Sequence, residues 1–243
     1  MPSSVQLVDV SVAYPNGVKA LTDVTVTIGE GEFVFLVGPT GHGKSTFLKL
    51  LYREEVPSSG HVLVSGWDVA LLSPNRVAHL RRRVGVVFQD FRLLPQRTAW
   101  ENIAFALHVT GTTYRTVTRT VPDVLAQVGL LEKADDFPAA MSAGEQQRLA
   151  LARAIALRPP LILADEPTGN LDLATGREII ELLRILNKEQ GVTVISATHD
   201  MKMLSVSDRV VWIRDGVIDR IEKREDLDIS VGSIEGDEAG GVK

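Results

Sequence analysis

The sequence has 243 residues, of which 44% are hydrophobic, enough for one or two domains with a sizeable core. Its net charge of −5 at pH 7 gives no support for nucleic-acid binding. The absence of cysteine excludes a disulfide framework and a thiolate metal site. No apolar run approaches the roughly 20 residues of a membrane span, so a membrane role has to come through a partner.

Two segments near the start alternate between apolar and polar residues, as half-buried antiparallel strands do. They are residues 5–10 and 21–28, separated by turn residues at 15–17. Phe33–Val37 is instead continuously apolar, which predicts a strand buried on both faces of a parallel sheet. The pattern predicts an antiparallel β region followed by an α/β core.

A glycine-rich loop follows this apolar strand and opens a helical pattern over residues 45–51. It has the form G-x-x-x-x-G-K-S, the phosphate-binding P-loop, in the strand–loop–helix context that this motif requires. Its glycines let successive backbone N–H groups point at an anion, and the helix N-terminus adds positive potential. Lys44 is predicted to reach the β- and γ-phosphates, and Ser45 to bind Mg²⁺. The loop residues predicted to bind the nucleotide are Gly38, Pro39, Thr40, Gly41, His42, Gly43, Lys44, Ser45 and Thr46.

Three later segments have the continuous apolar character of buried parallel strands: residues 84–88, 161–166 and 192–196. Between the first two, residues 98–141 lack strand signals and contain two helical patterns, which predicts a helical insertion in the core. A further helix is predicted over 144–157. Near the end, residues 209–221 predict a hairpin around the turn Asp215-Gly216.

Two carboxylates end the strand predicted over 161–166. The carboxyl ends of parallel strands form the edge where open α/β sheets bind ligands. Asp165 is predicted to hold Mg²⁺, directly or through water. Glu166 is the next residue and projects differently, so it could polarise an attacking water as a general base.

A turn of small residues, 142–144, opens the helix predicted over 144–157. Its N-terminus is a second helix end of the kind that binds anions. Such a second site makes sense if it serves the nucleotide of another subunit. From this segment alone, an ordinary helix with Ser142 as its N-cap is an equal alternative.

Together these motifs resemble the ATP-binding cassette (ABC) ATPase family over about residues 5–221. The matching positions, in the family's order, are Tyr14 as the aromatic that stacks on adenine, Gln89 as the Q-loop, residues 142–146 as the signature sequence, residues 169–172 as the D-loop and His199 as the switch histidine. Taken alone, His199 would be better explained as a packed core histidine. The resemblance implies an α/β P-loop nucleotide-binding domain with an N-terminal antiparallel β region and a helical subdomain.

The resemblance also implies that ATP is hydrolysed at a composite site between two copies of the chain. The residues assigned to Mg²⁺ are Ser45, Gln89 and Asp165. The residues assigned to catalysis are Glu166, which would activate water, His199, which would steady the γ-phosphate, and Lys44. The residues supplied by the opposite subunit would be Ser142, Gly144 and Glu145.

Two positions depart from the family pattern. Ala143 stands where the family commonly has a second signature glycine, and its methyl group penalises a positive φ angle. Close approach to a phosphate therefore requires an ordinary backbone conformation there. His42 replaces the small residue usual inside the P-loop. We expect its side chain to point outward, although it could crowd the phosphates or donate to them.

Residues 164–172 are typical of a branch of the family that contains lipoprotein-releasing, macrolide-exporter and cell-division ATPases. Residues 31–38, 88–95 and 97–102 resemble the FtsE group of cell-division ATP-binding proteins, which pair with the membrane protein FtsX to regulate cell-wall hydrolysis. A lipoprotein-release or macrolide-type exporter ATPase is the alternative. The assignment is by analogy, because a fold does not determine function.

The FtsE resemblance implies an FtsX-like membrane subunit, a homodimer in the ATP-bound state, contacts with cytoskeletal division proteins and a place at the cytoplasmic face of the cell membrane. We expect the membrane subunit to insert a helix near residues 91–95, although these could simply pack the subdomain core. The sequence divides into an ABC domain over 1–221, with a helical subdomain at about 90–158. An acidic tail over 222–243 is expected to be mobile.

Overall fold

The structure is a computed structural model that describes residues 3–226. Its strands are β1 Ser3–Ala13, β2 Lys19–Gly29, β3 Phe33–Val37, β4 Ser59–Val64, β5 Trp67–Asp68, β6 Val84–Val87, β7 Leu161–Asp165, β8 Thr193–Thr198, β9 Arg209–Arg214 and β10 Val217–Lys223. Its α-helices are α1 Lys44–Leu51, α2 Pro74–Arg82, α3 Ala99–His108, α4 Tyr114–Gln127, α5 Ala143–Ile155 and α6 Leu173–Gln190.

A six-stranded sheet in the order β10-β9-β3-β8-β7-β6 forms the centre of the molecule. Its neighbouring strands are parallel except for the β9–β10 hairpin. Every residue of β3 is buried. Phe33 and Phe35 belong to the hydrophobic core on one face, and Val34 and Leu36 to the core on the other. The loop after β3 therefore starts at the carboxyl edge of the sheet.

A second, antiparallel sheet is built from the N-terminal part of the chain in the order β2-β1-β4-β5. Its apolar side chains share one core with α1 and with one face of the six-stranded sheet. α1 contacts strands of both sheets. The helix that follows the phosphate-binding loop is therefore fixed between the two sheets.

The helical subdomain contains α3, α4 and α5, which pack on one another around an apolar core. α3 begins with a capping box, in which the side chains of Thr98 and Glu101 each bond the other's backbone N–H. The fully buried Asn102 accepts the N–H of Leu94 and donates to the carbonyls of Leu94, Arg97 and Thr98. These bonds hold the chain segment that leads into α3.

The predicted fold is confirmed: an α/β core carries an N-terminal antiparallel β region and a helical subdomain. β3 and β9 have the bounds that the sequence predicted, whereas β4, β5 and α6 were not predicted. β7 ends one residue earlier than predicted, because Glu166 has φ +46° and leaves the extended region.

The C-terminal strand differs from the predicted domain boundary at residue 221. β10 continues to Lys223 because it stays paired with β9 to that residue. Residues 227–243 of the predicted tail lie outside the described residues, and the division into a domain and a mobile tail stays a prediction. Across residues 3–226, none of the helices combines the length and apolarity needed to cross a membrane.

Candidate active site

The glycine loop after β3 is closely surrounded by backbone from two other strands. A Cβ atom on Gly38 would lie 2.0 Å from the carbonyl oxygen of Ile213 in β9. A Cβ atom on Gly43, which has φ +102°, would lie 2.5 Å from the carbonyl oxygen of Ala20 in β2. Both approaches require glycine, so these residues serve the packing of the loop as well as its curvature.

The ammonium group of Lys44 is directed back into the loop. Its Nζ donates to the carbonyl oxygens of Gly38 at 2.7 Å and Pro39 at 3.0 Å. The side chain is only 4% exposed. A buried cation is thus held beside a loop whose geometry suits an anion, as a phosphate site requires.

Ser45 and Asp165 meet across the carboxyl edge of the sheet, where the Ser45 hydroxyl donates to Asp165 Oδ1 at 3.1 Å. Burial raises the pKa of the Asp165 carboxyl above its usual value, and the bond from Ser45 opposes that shift. A divalent cation between these oxygens would compensate the buried charge. The donor set of a hydroxyl and a carboxylate suits Mg²⁺, which commonly binds one or two carboxylates and keeps several waters.

Glu166 lies just beyond β7, in a left-handed conformation that is uncommon for a residue with a side chain. Two backbone bonds hold it there: its N–H donates to Ala197, and its carbonyl accepts from Gly169. The Glu166 carboxylate is 3.7 Å from Lys44 Nζ and 3.2 Å from His199 Nδ1. Three predicted catalytic residues therefore converge at one point, with Glu166 15% exposed and His199 58% exposed.

Gln89 lies beside the turn over residues 169–170 and follows β6 by two residues. Its carbonyl oxygen accepts a bond from the Asn170 side chain at 2.9 Å. Its side-chain nitrogen is 3.1 Å from where a Cβ on Gly169 would stand. In the described structure the Gln89 side chain makes no hydrogen bond to Ser45 or Asp165, so its predicted role as a Mg²⁺ ligand stays a prediction.

Tyr14 and Thr46 link the first strand–turn unit to α1. The Tyr14 hydroxyl is 3.1 Å from Thr46 Oγ1, and the tyrosine side chain is half-buried. The aromatic ring therefore stands next to the phosphate-binding loop, where the base of a bound nucleotide could stack on it.

The signature turn is built from contacts within its own subunit. The Ser142 hydroxyl accepts the Glu145 N–H, and the Glu145 carboxylate accepts the Ser142 N–H, in a capping box. Glu145 also pairs with Lys133 at 2.9 Å. The Lys133 ammonium group and the Ser142 N–H lower the pKa of Glu145 to about 2. The carboxylate of Glu145 thus supports the turn.

The two small residues of the signature turn have different surroundings. Ala143 is exposed and has no positive φ, so its backbone is in the ordinary region that phosphate approach requires. Gly144 is buried, and a Cβ there would lie 2.4 Å from the Thr175 methyl group in α6. The glycine is therefore needed for α5 to pack on α6. Ser142 and Ala143 form the exposed tip.

The sequence reasoning missed Arg153, a half-buried residue of α5. Its guanidinium group donates to the carbonyl oxygens of Phe91 and Arg92, both of which have a positive φ. The helix that begins at the signature turn is thereby joined to the segment after Gln89. An arginine inside the otherwise apolar run after residue 148 was the available signal.

The fold and the site together define a P-loop ATPase of the ATP-binding cassette class. The family model described as ABC transporter matches residues 21–169. The cell division ATP-binding protein FtsE of Bacillus subtilis (strain 168) is 47% identical over 221 residues, covering 90% of this chain and 96% of that protein. The FtsE of Mycobacterium tuberculosis (strain H37Rv) is 51% identical over 206 residues, covering 84% and 89%. The chain belongs to the ABC transporter family and, within it, to the FtsE cell-division ATP-binding proteins.

A solved structure of an ATP-binding cassette has the same fold with a TM-score of 0.84 and 37% sequence identity. The match covers 90% of this chain and 98% of the solved one. That protein was captured as a dimer in a post-hydrolysis state, bound to ADP and Pi.

Proposed function

We propose that the protein is the ATP-hydrolysing subunit of an FtsEX-type cell-division complex. It couples ATP-driven dimerisation to a membrane partner that regulates cell-wall hydrolysis. ATP hydrolysis is supported mainly by one observation: Lys44, Glu166 and His199 converge beside the Ser45–Asp165 pair. Support for the cell-division role is the 45–51% identity to curated FtsE proteins over most of the chain.

The roles follow from what each group can do at its position. Lys44 exchanges its loop carbonyls for the β- and γ-phosphates. Ser45 and Asp165 would hold Mg²⁺, and the cation would supply positive charge that neutralises the phosphates. The Glu166 carboxylate accepts a proton from the attacking water, and His199 steadies the γ-phosphate. In such sites, positioning and electrostatic stabilisation do most of the catalytic work.

The site is completed by a second copy of the chain. Ser142 and Ala143 present an exposed helix N-terminus, which favours a negative charge. The Ser142 side chain bonds only within its own capping box among the described residues. A two-fold pairing would bring each exposed turn to the other copy's phosphates and would satisfy both sites at once.

A metal-removal experiment tests hydrolysis by the purified protein. Phosphate release from ATP should require Mg²⁺ and should stop when EDTA is added in excess, because Ser45 and Asp165 need the cation to organise the phosphates. Restoring Mg²⁺ should restore release. Phosphate release that is unchanged by EDTA would contradict this assignment of the site.

The segment over residues 91–95 is the proposed contact with the membrane partner. Phe91 and Leu94 are half-buried, whereas Leu93 packs against the core of the subdomain. Arg153 holds the carbonyl oxygen of Phe91, and Asn102 holds the backbone of Leu94. The segment is thus fixed while part of its apolar surface stays open to a helix of the partner.

Replacing Phe91 and Leu94 by Ala should weaken capture of the membrane subunit more than it lowers basal ATP hydrolysis. The measurement is co-purification of an FtsX-type subunit with each variant, beside the hydrolysis rate. Leu71→Ala, at an 80% exposed leucine outside this segment, is the matched control and should capture normally. If a folded Phe91/Leu94 variant captured the membrane subunit as well as the unaltered protein, residues 91–95 would serve only to pack the subdomain core.

Attachment to such a partner would place the protein at the cytoplasmic face of the cell membrane. The location would depend on the partner, so loss of capture should also release the protein from membranes. Contacts with cytoskeletal division proteins stay a prediction.

A further inference from the structure

We propose that His42 holds the phosphate-binding loop in its nucleotide-receiving shape through a side-chain bond to the β9–β10 hairpin. His42 Nδ1 accepts the backbone N–H of Asp215 at 2.8 Å, across 173 residues of sequence. His42 is therefore a positioning residue, which acts through the shape of the loop. The sequence placed His42 among the nucleotide-binding loop residues, and it did not predict a bond to the hairpin.

The backbone N–H of Asp215, and not its carboxylate, is the partner of the imidazole. A ring nitrogen that accepts a hydrogen bond carries no proton, so the neutral ring has its proton on Nε2. Asp215 Oδ1 is 3.2 Å from the same Nδ1, but that nitrogen then has nothing to donate to it. The Asp215 side chain is also 79% exposed, where an ion pair contributes little.

The loop needs such a restraint at this point. His42 lies between Gly41, with φ +83°, and Gly43, with φ +102°. Gly43 is confined by the backbone of β2, whereas Gly41 keeps the conformational freedom of glycine, so ordering the loop at Gly41 costs entropy. A Cβ on Gly41 would meet no atom within 4 Å, so the loop has open space at this residue.

The hairpin offers a fixed point for the restraint. Its tip is bonded to β2, where the Thr22 N–H donates to the carbonyl oxygen of Gly216 at 2.8 Å. A Cβ on Gly216 would lie 2.8 Å from the carbonyl oxygen of Ala20. The tip therefore packs tightly on the start of β2, and the bond to His42 ties the loop to a hairpin that is itself joined to β2.

A direct contact between the imidazole and the nucleotide is the competing explanation. The ring borders an open cavity of about 230 Å³, whose other lining residues are Lys19, Ala20, Gly41, Asp215 and Gly216. Its Nε2 could reach a ligand there. The two explanations use different ring nitrogens, so substitutions that imitate one nitrogen at a time separate them.

The experiment compares His42→Ala, His42→Asn and His42→Gln. The Asn side-chain oxygen stands near the position of Nδ1, whereas the Gln amide extends to that of Nε2. We expect the His42→Ala and His42→Gln variants to raise the KM for ATP about 2- to 12-fold, the range for one net hydrogen bond. Their kcat at saturating ATP should change little.

The His42→Asn variant should have the KM of the unaltered protein. Hydrogen exchange of the Asp215 amide, followed by NMR in nucleotide-free protein, should be fast in the His42→Ala and His42→Gln variants. It should be slow in the His42→Asn variant.

Asp215→Asn is the matched control, because it keeps the backbone N–H and Asn tolerates the positive φ of +51°. It should keep the KM of the unaltered protein. Three results would overturn the proposal. They are rescue by Gln but not by Asn, a KM increase in Asp215→Asn equal to that of His42→Ala, and an Asp215 amide that stays protected in a folded His42→Ala protein. The first would assign Nε2 to the nucleotide, and the second would assign the effect to an ion pair.

Discussion

Replacing Glu166 by Gln should lower ATP hydrolysis by about 10²- to 10⁴-fold, the usual effect of losing a general base, while ATP binding is kept. Gln has nearly the same size and should keep the positive φ that the two backbone bonds of Glu166 impose. Only the ability to accept a proton from water is removed. The variant should therefore accumulate as an ATP-bound dimer, measured by phosphate release and by size-exclusion chromatography with ATP.

Glu178→Gln makes the same chemical change at a 64% exposed glutamate of α6 that pairs with Arg148. It should hydrolyse ATP at close to the unaltered rate. If Glu166→Gln hydrolysed ATP at the rate of this control, the proposed role of Glu166 as the general base would be contradicted.

Replacing Lys44 by Ala should weaken ATP binding itself by about 10- to 150-fold, the range for a hydrogen bond to a charged group. Lys44 is buried, and its Nζ is already positioned by the carbonyls of Gly38 and Pro39. Its loss would leave the phosphates without the buried ammonium group that faces the loop. Titration with a fluorescent ATP analogue measures the change.

Lys49→Ala is the control, because Lys49 lies on the same helix but pairs with Glu54 at its surface. It should bind the analogue with less than about a twofold change, as expected for an exposed ion pair. Equal affinity of Lys44→Ala and Lys49→Ala would argue against the phosphate role of Lys44.

The Lys44→Ala variant also tests whether the site is shared between subunits. Lys44→Ala mixed with Ser142→Arg should recover part of the hydrolysis, because a heterodimer of the two contains one intact composite site. Each variant alone should be nearly inactive. Heterodimers that form but recover no activity would contradict a site that uses the Ser142 turn of the opposite subunit.

Local signals predicted much of the fold because they report interactions within a few residues. The continuous apolar run of β3 and the Asp215-Gly216 turn gave correct strand bounds there, and Ser142 proved to be the cap of α5. α6 was overlooked although Asp172 caps it in the same manner, since residues 169–172 were interpreted only as the D-loop. The bounds of β7 failed at Glu166, because its carbonyl oxygen accepts the N–H of Gly169 in a turn and its φ of +46° ends the extended run.

The sequence by itself determined the chemistry of this protein: a P-loop, a carboxylate pair at a strand end, and a second helix N-terminus in family order. Only the tertiary structure decided which of these groups meet. The contacts of Glu166 with Lys44, and of His42 with Asp215, join segments more than 100 residues apart. They depend on strand order, with β3 lying between β9 and β8, and on the direction of each side chain at the sheet edge. Strand order and side-chain direction cannot be read from local spacing. The meeting of the predicted catalytic residues and the bond between His42 and Asp215 therefore emerged only from the folded chain.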